Sequence, residues 1–205
     1  MPDRGFGAAD ELLSRVHRSL DESARVTRDT VAGSGEAIAG AARLLIGAFR
    51  GGYKLLAFGN GGSAADAQHL ASELAGRFDS DRPALPAMAL ATNGSDLTAI
   101  GNDYGFDQVF ARLVQAHGRP GDVAVAISTS GNSRNVIAGA VEARNRGMST
   151  VALTGKGGGA LAPLVDVAVV VPSDVTARIQ ESHIAVCHVL CELVESELFP
   201  ETART

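Results

Sequence analysis

The 205-residue sequence predicts an α/β fold: a doubly wound, five-stranded parallel sheet with a helical N-terminal extension and a long C-terminal helix. Three observations predict it. From Lys54 onward five short apolar runs recur, "KLLAFG", "LPAMALA", "DVAVAIS", "STVALTG" and "VDVAVVVP", near-continuous as strands covered on both faces must be. Helical stretches separate most of these runs, the alternation that accompanies a parallel sheet. Both ends of the chain carry apolar residues at helical spacing. At this length one domain with a real core is expected.

Taken in order, "ELLSRVHRSLDESARV" places Leu12, Leu13, Val16 and Leu20 on one stripe, and Ile38, Ala42, Leu45 and Phe49 repeat the pattern. Between them "GSG" at 33–35 reads as a break, so residues 1–50 are expected to form two helices, or one broken helix, serving as interface or core. Residues 51–199 are expected to hold the sheet and end in a helix from about Thr176 to Leu198, leaving a tail at 200–205. There is no internal repeat and no low-complexity linker. Cys187 and Cys191, four apart in a helical pattern, read as core packing. The net charge of −5 comes with no basic run, which argues against nucleic acid or anionic lipid as partner. The opening lacks an apolar targeting core, and the stretch "IAGAARLLIGAF" is interrupted by Arg43, so a cytoplasmic location without membrane association is expected.

In open parallel sheets, ligands gather where strand ends lead into helix starts. Two such loops are chemically loaded. In "GNGGSAAD" the residues Gly59, Gly61 and Gly62 allow a sharp turn and close approach, with Ser63 among unpaired helix N–H groups. In "ISTSGNSRN" the hydroxyls of Ser128, Thr129, Ser130 and Ser133 join the amides of the next helix. Neither loop needs a cation to hold a phosphate. One alone would read as a tight turn with a serine cap; two after separate strands point to phosphate. A dinucleotide site fits less well. Gly59, Gly61 and Ala64 match G-x-G-x-x-A, but the next strand ends in the neutral "ALATNGS" where a ribose-binding acid belongs. The glycine-rich "TGKGGGAL" at 154–161 reads as a turn between a strand and a short helix.

His69 and Glu73, at i and i+4, share a helix face just beyond the first loop. In "ARIQESHIAVCHVLCEL" Gln180 and His188 lie about two turns apart, with His183 turned further round. Either pair alone reads as a solvated contact or a satisfied core histidine. Together, two imidazole nitrogens, a carboxylate and an amide oxygen can converge on a borderline metal such as zinc.

With "GNGGSAADAQH", "SELAGRF", "GNDYGF", "ISTSGNS", "ALTGKGGG" and "RIQESH" in this order, the chain resembles the bacterial phosphoheptose isomerase family within the sugar-isomerase (SIS) domain superfamily, from the N-terminal helices through Phe199. The resemblance implies a flavodoxin-like SIS sheet and an aldose–ketose isomerisation of sedoheptulose 7-phosphate to D-glycero-D-manno-heptose 7-phosphate, for activated heptose. It implies that Ser63, Ser128, Ser130 and Ser133 hold the phosphate with Thr129 in support, that Asn60, Asp103 and Gln180 meet the sugar, and that Arg77 stands near the site. Glu73 and His188 become the proton-transfer pair, and His69, Glu73, Gln180 and His188 the ligands of one zinc ion per subunit. A homotetramer is implied as well. Some relatives carry an acid immediately before Arg-Ile-Gln, where this chain has Ala177, so one sugar-hydroxyl contact is in question.

Two rivals stand beside this expectation. One is a related non-catalytic SIS tetramer that binds the replication initiator, and "SAADAQH" and "ARIQE" resemble that branch too. A scaffold has no physical need for Glu73, His188 and the full "STSGNS" together. The other is isomerisation of a shorter sugar phosphate such as arabinose 5-phosphate, which would need a different pocket depth.

Overall fold

Residues along the first strand, β1 (Leu55–Gly59), point alternately to two apolar layers. Leu55 and Ala57 face one, Leu56 and Phe58 the other, and all are buried. A strand so placed must lie inside a sheet covered on both sides. The computed structural model describes residues 6–90 and 92–200. The first five residues of the expected extension, Ala91 of the second apolar run and residues 201–205 of the expected tail lie outside them.

The remaining strands are β2 (Ala87–Ala89), β3 (Val123–Ser128), β4 (Ser149–Thr154) and β5 (Val167–Val170), and the helices are α1 (Phe6–Arg50), α2 (Gly62–Ala75), α3 (Gly94–Tyr104), α4 (Val109–His117), α5 (Arg134–Asn145) and α6 (Thr176–Leu198). All strands pair in parallel in the order β2-β1-β3-β4-β5. The expected α/β doubly wound sheet and long terminal helix are present. Helices α1, α2 and α6 cover one face, through Leu45, Leu70, Leu74, Val186 and Leu190. Helices α4 and α5 cover the other, through Val109, Phe110, Val136 and Ala140. Among the described residues no helix is long and apolar enough to cross a membrane.

The N-terminal region departs from expectation. No break occurs at 33–35: α1 is one helix of 45 residues, about 67 Å long at 1.5 Å per residue. Tertiary packing overrides the glycine penalty, which is about 1 kcal/mol per residue. Ser34, between the two glycines, is buried; its hydroxyl donates to the Val170 carbonyl at 2.9 Å and accepts from the Val170 N–H at 3.2 Å. It thereby satisfies backbone groups of β5, an edge strand whose outer side has no neighbouring strand. The link between β4 and β5 contains two short 3-10 turns, Lys156–Gly158 and Ala162–Leu164, the second in place of a short α-helix.

The sheet order fixes where a ligand can sit. The chain moves from β1 outward to β2, then returns to place β3 on the opposite side of β1. Helix α2, after β1, goes to one face and α5, after β3, to the other. The loops leaving β1 and β3 therefore part and open a crevice at the carboxyl edge.

Candidate active site

The two loaded loops flank this crevice. Gly59 pairs with Ile127 in the β1–β3 register, so Asn60–Ser63 and Ser128–Ser133 start side by side. Asn60 and Asn135 exchange amide hydrogen bonds of 2.8 and 2.9 Å, tying one loop to the helix that follows the other. The Asn60 amide is thereby engaged at both its NH₂ and its oxygen. Ser63 is buried in the first turn of α2. Ser128 donates to the Ser133 hydroxyl at 3.1 Å, and the Ser130 hydroxyl accepts from Asn132 N–H at 3.1 Å. Thr129 lies between them, half-buried. Three serine hydroxyls and a helix start thus gather in one loop, a pattern suited to an anion.

The glycine-rich 155–161 segment buttresses that loop. Leu161 N–H donates to the Gly131 carbonyl at 2.9 Å and Ala160 N–H to Asn132 Oδ1 at 3.0 Å. A Cβ on Gly131, whose φ is +63°, would lie 2.0 Å from the Gly158 carbonyl oxygen. Reading the segment as a bare turn missed this role, as it missed Asn135; the sequence signal was glycine at consecutive positions, which permits backbone to meet backbone.

Helices α2 and α6 run alongside each other in the same direction. Gln180 lies over the start of α2, its amide where a Cβ on Gly62 would be 2.2 Å away. Two turns on, His188 Nε2 meets His69 Nε2 at 2.8 Å, and His69 Nε2 is 3.4 Å from Glu73 Oε1. Of the four residues expected to act together, His69, Glu73 and His188 are thereby brought together, while Gln180 lies two turns back along the same seam, against Gly62. At the histidine contact one imidazole carries the shared proton on Nε2 and the other accepts it. Phe78 leans on the His188 ring with centroids 5.7 Å apart.

Asp66, one turn before His69, was not among the expected residues. Burial pushes its carboxyl up to about 6 against the opposing pull of His69, and its Oδ2 is buried without a hydrogen-bond partner. Its i, i−3 spacing from His69 was the available signal. Other expected residues have partners of their own. Arg77 is exposed and donates to the Asp79 carbonyl at 3.2 Å, and Asp103, exposed on α3, accepts from Asn102 at 2.8 Å. His183 is fully buried against the Thr154 carbonyl at 3.1 Å. Burial raises the thiols of Cys187 and Cys191, the latter to about 12, so both are inert packing groups.

The donor set at the seam suits zinc, two imidazoles and a carboxylate with an amide on the same helix face. Among the described residues, however, no three His, Cys, Asp or Glu side chains stand ready as a metal cage. The two imidazole nitrogens also stand closer, at 2.8 Å, than the roughly 3.3 Å between two ligands of a tetrahedral zinc. A metal requires loss of the shared proton and an opening of about 0.5 Å.

Residues 20–155 match the SIS domain family. A phosphoheptose isomerase of Rhodospirillum rubrum is 58% identical over 162 residues, 79% of this chain and 86% of that protein. The chain belongs to the phosphoheptose isomerase family of SIS-domain proteins. Over greater length, a phosphoheptose isomerase of Shewanella oneidensis is 50% identical across 93% of this chain and 98% of that one. The solved structure of phosphoheptose isomerase from Neisseria gonorrhoeae superposes with a TM-score of 0.85 at 47% identity, covering 90% of this chain and 99% of that chain. Membership in the phosphoheptose isomerase family accords with the crevice and with the residues that line it.

Proposed function

We propose that this chain interconverts sedoheptulose 7-phosphate and D-glycero-D-manno-heptose 7-phosphate, an aldose–ketose isomerisation through an enediol that supplies activated heptose. One observation carries the reading. The His69–Glu73–His188 cluster lies on the same seam as the phosphate-type loop, seven residues along α2 from Gly62. That is a rise of about 10 Å, on the scale of an extended seven-carbon sugar phosphate.

The serines of both loops anchor the phosphate and hold the sugar's other end at the seam. There Glu73 and His188 act as base and acid: a proton leaves the carbon next to the carbonyl, an enediolate forms, and a proton returns to the neighbouring carbon. Glu73 and His188 reach the reacting carbons from different helices, with His69 between them. Asn60 and Gln180 line the path, and Asp103 and Arg77, exposed within one chain, contribute to the site of a neighbouring subunit. His69, Glu73, Gln180 and His188 are the set that would hold one zinc ion per subunit, whose chemistry there is polarisation of the carbonyl oxygen. The exposed stripe of Leu12, Leu13, Val16 and Leu20 on α1 supports a homotetramer, and the cytoplasm, where sugar phosphates are made, is the proposed location.

The test is sedoheptulose 7-phosphate in D₂O followed by NMR. Heptose 7-phosphate with deuterium next to the carbonyl is expected. Bound substrate with neither product nor exchange, in metal-replete protein, would move the case to a binding scaffold or another sugar phosphate. Metal analysis of protein purified without chelator tests zinc separately, with about one ion per subunit expected.

A further inference from the structure

Two charged residues outside the reacting groups are buried where α6 meets the segment after α2. Arg82 and Glu195 are 8% and 4% exposed and pair through Nε and Oε2 at 2.7 Å. Buried charges persist only when their remaining hydrogen-bonding capacity is met, and here it is met by backbone from two directions.

The first direction is the end of α2. The Arg82 guanidinium donates to the carbonyls of Glu73 and Leu74, both at 2.9 Å, and to Pro83 at 3.1 Å. Those of Glu73 and Leu74 belong to the last turn of α2, where helix carbonyls lack intrahelical partners. The arginine therefore caps the turn that carries the Glu73 carboxylate. The second direction is the segment 78–80. Glu195 Oε2 accepts from Phe78 N–H at 3.2 Å, and Oε1 from Asp79 N–H at 3.0 Å and Ser80 N–H at 2.6 Å. Phe78, so placed, rests its ring on His188. Burial alone would raise the Glu195 carboxyl; the donors at Ser80, Arg82, Asp79 and Phe78 outweigh it and hold the group below the usual carboxylate range.

We propose that Arg82 and Glu195 are positioning residues for the proton-transfer pair, one setting Glu73 through the last turn of α2 and the other setting His188 through Phe78. A single buried ion pair thus references both proton carriers to one point, although they sit on separate helices. This rests on the assignment of Glu73 and His188 made above. Proton transfer needs its partners held at hydrogen-bond distance, so a small displacement lowers turnover while the phosphate anchor at the crevice keeps substrate affinity.

The experiment compares Glu195→Gln and Phe78→Leu with the parent, reading kcat and KM for sedoheptulose 7-phosphate well below each unfolding temperature, together with the imidazole ¹⁵N–¹H signals of His188. In Glu195→Gln we expect kcat to fall roughly 10- to 100-fold with KM within about threefold, and the His188 signals to move. Phe78→Leu leaves the ion pair intact and should show a smaller loss of the same kind. Should Glu195→Gln not fold, Phe78→Leu decides: unchanged kcat and an unmoved His188 overturn the proposal. A folded Glu195→Gln with parental kcat overturns it too, as does lost kcat with His188 signals in place. Parental turnover in Glu73→Gln or His188→Gln overturns the assignment beneath it, an outcome distinct from failure of the clamp alone, in which those two variants are inactive and Glu195→Gln is not.

Discussion

His69, Glu73 and His188 are ordinary residues on half-exposed helix faces until the fold sets His69 2.8 Å from His188 and 3.4 Å from Glu73. Replacing Glu73 or His188 by Gln keeps size and polarity but removes the proposed proton carrier. Each change should lower kcat by about 10²- to 10⁴-fold, with inorganic phosphate still competing for the crevice by calorimetry; near-parental turnover would mean the carriers are wrongly assigned. His183, three residues past Gln180, behaves as a core residue. Burial lowers its pKa to about 4 from the ordinary 6.5, only partly opposed by the Thr154 carbonyl. A histidine depressed in this way contributes stability that is present above about pH 6.5 and is lost as pH falls toward 4. The amount is about 3 kcal/mol. Asp66, raised to about 6, works in the opposite sense over the same acid range, since its protonation is easier in the folded chain. Denaturant unfolding at pH 7.5 and 4.5 should therefore show a smaller acid loss in His183→Gln than in the parent. Equal losses would remove His183 as the cause.

Among the elements, the two loops at the crevice differ in what supports them. The Ser128–Ser133 loop leans on the glycines of 155–161. Gly131→Ala adds a methyl 2.0 Å from backbone oxygen at a φ of +63°, so the loop must move. Substrate affinity should fall at least tenfold, measured as KM or by calorimetry. Gly33→Ala provides the contrast on α1. A Cβ there meets nothing within 4 Å, and the backbone is already helical, so stability should rise by about 0.5–1 kcal/mol with KM unchanged. Destabilisation by Gly33→Ala would show that the space is filled, for instance by another copy of the chain. Helix α1 also shows how an element escapes local reading: a serine between two glycines is a poor helix signal, yet Ser34 is the residue that ties α1 to Val170.

For the whole molecule, the informative surface is the outer half of α1. Leu12, Leu13, Val16 and Leu20 are 52–65% exposed along one stripe, while the inner half of the same helix is packed on β5 and α6. Association of four copies would bury such a stripe. Light scattering should give four times the chain mass for the parent and a smaller species for a Leu13→Ser, Leu20→Ser double variant. A parental species that stays monomeric at micromolar concentration would count against the tetramer. Loss of turnover along with assembly would place part of the site across the interface, which bears on Arg77 and Asp103, both exposed within one chain.

The sequence by itself determined the class of fold, the five strands, the span of α6 and the two anion-type loops, because strand periodicity, helix periodicity and glycine turns are written in neighbouring residues. It also marked His69 with Glu73 and Gln180 with His188, since helical spacing puts each pair on one face. Only the tertiary structure decided that α1 runs unbroken, that His69 and His188 meet across 119 positions, that Asn60 is tied to Asn135, and that Arg82 is buried on Glu195. Each rests on contacts between residues far apart in the chain, for α1 the bond from Ser34 to Val170, and such contacts arise from how the helices pack across the sheet, to which no local pattern in the sequence is sensitive.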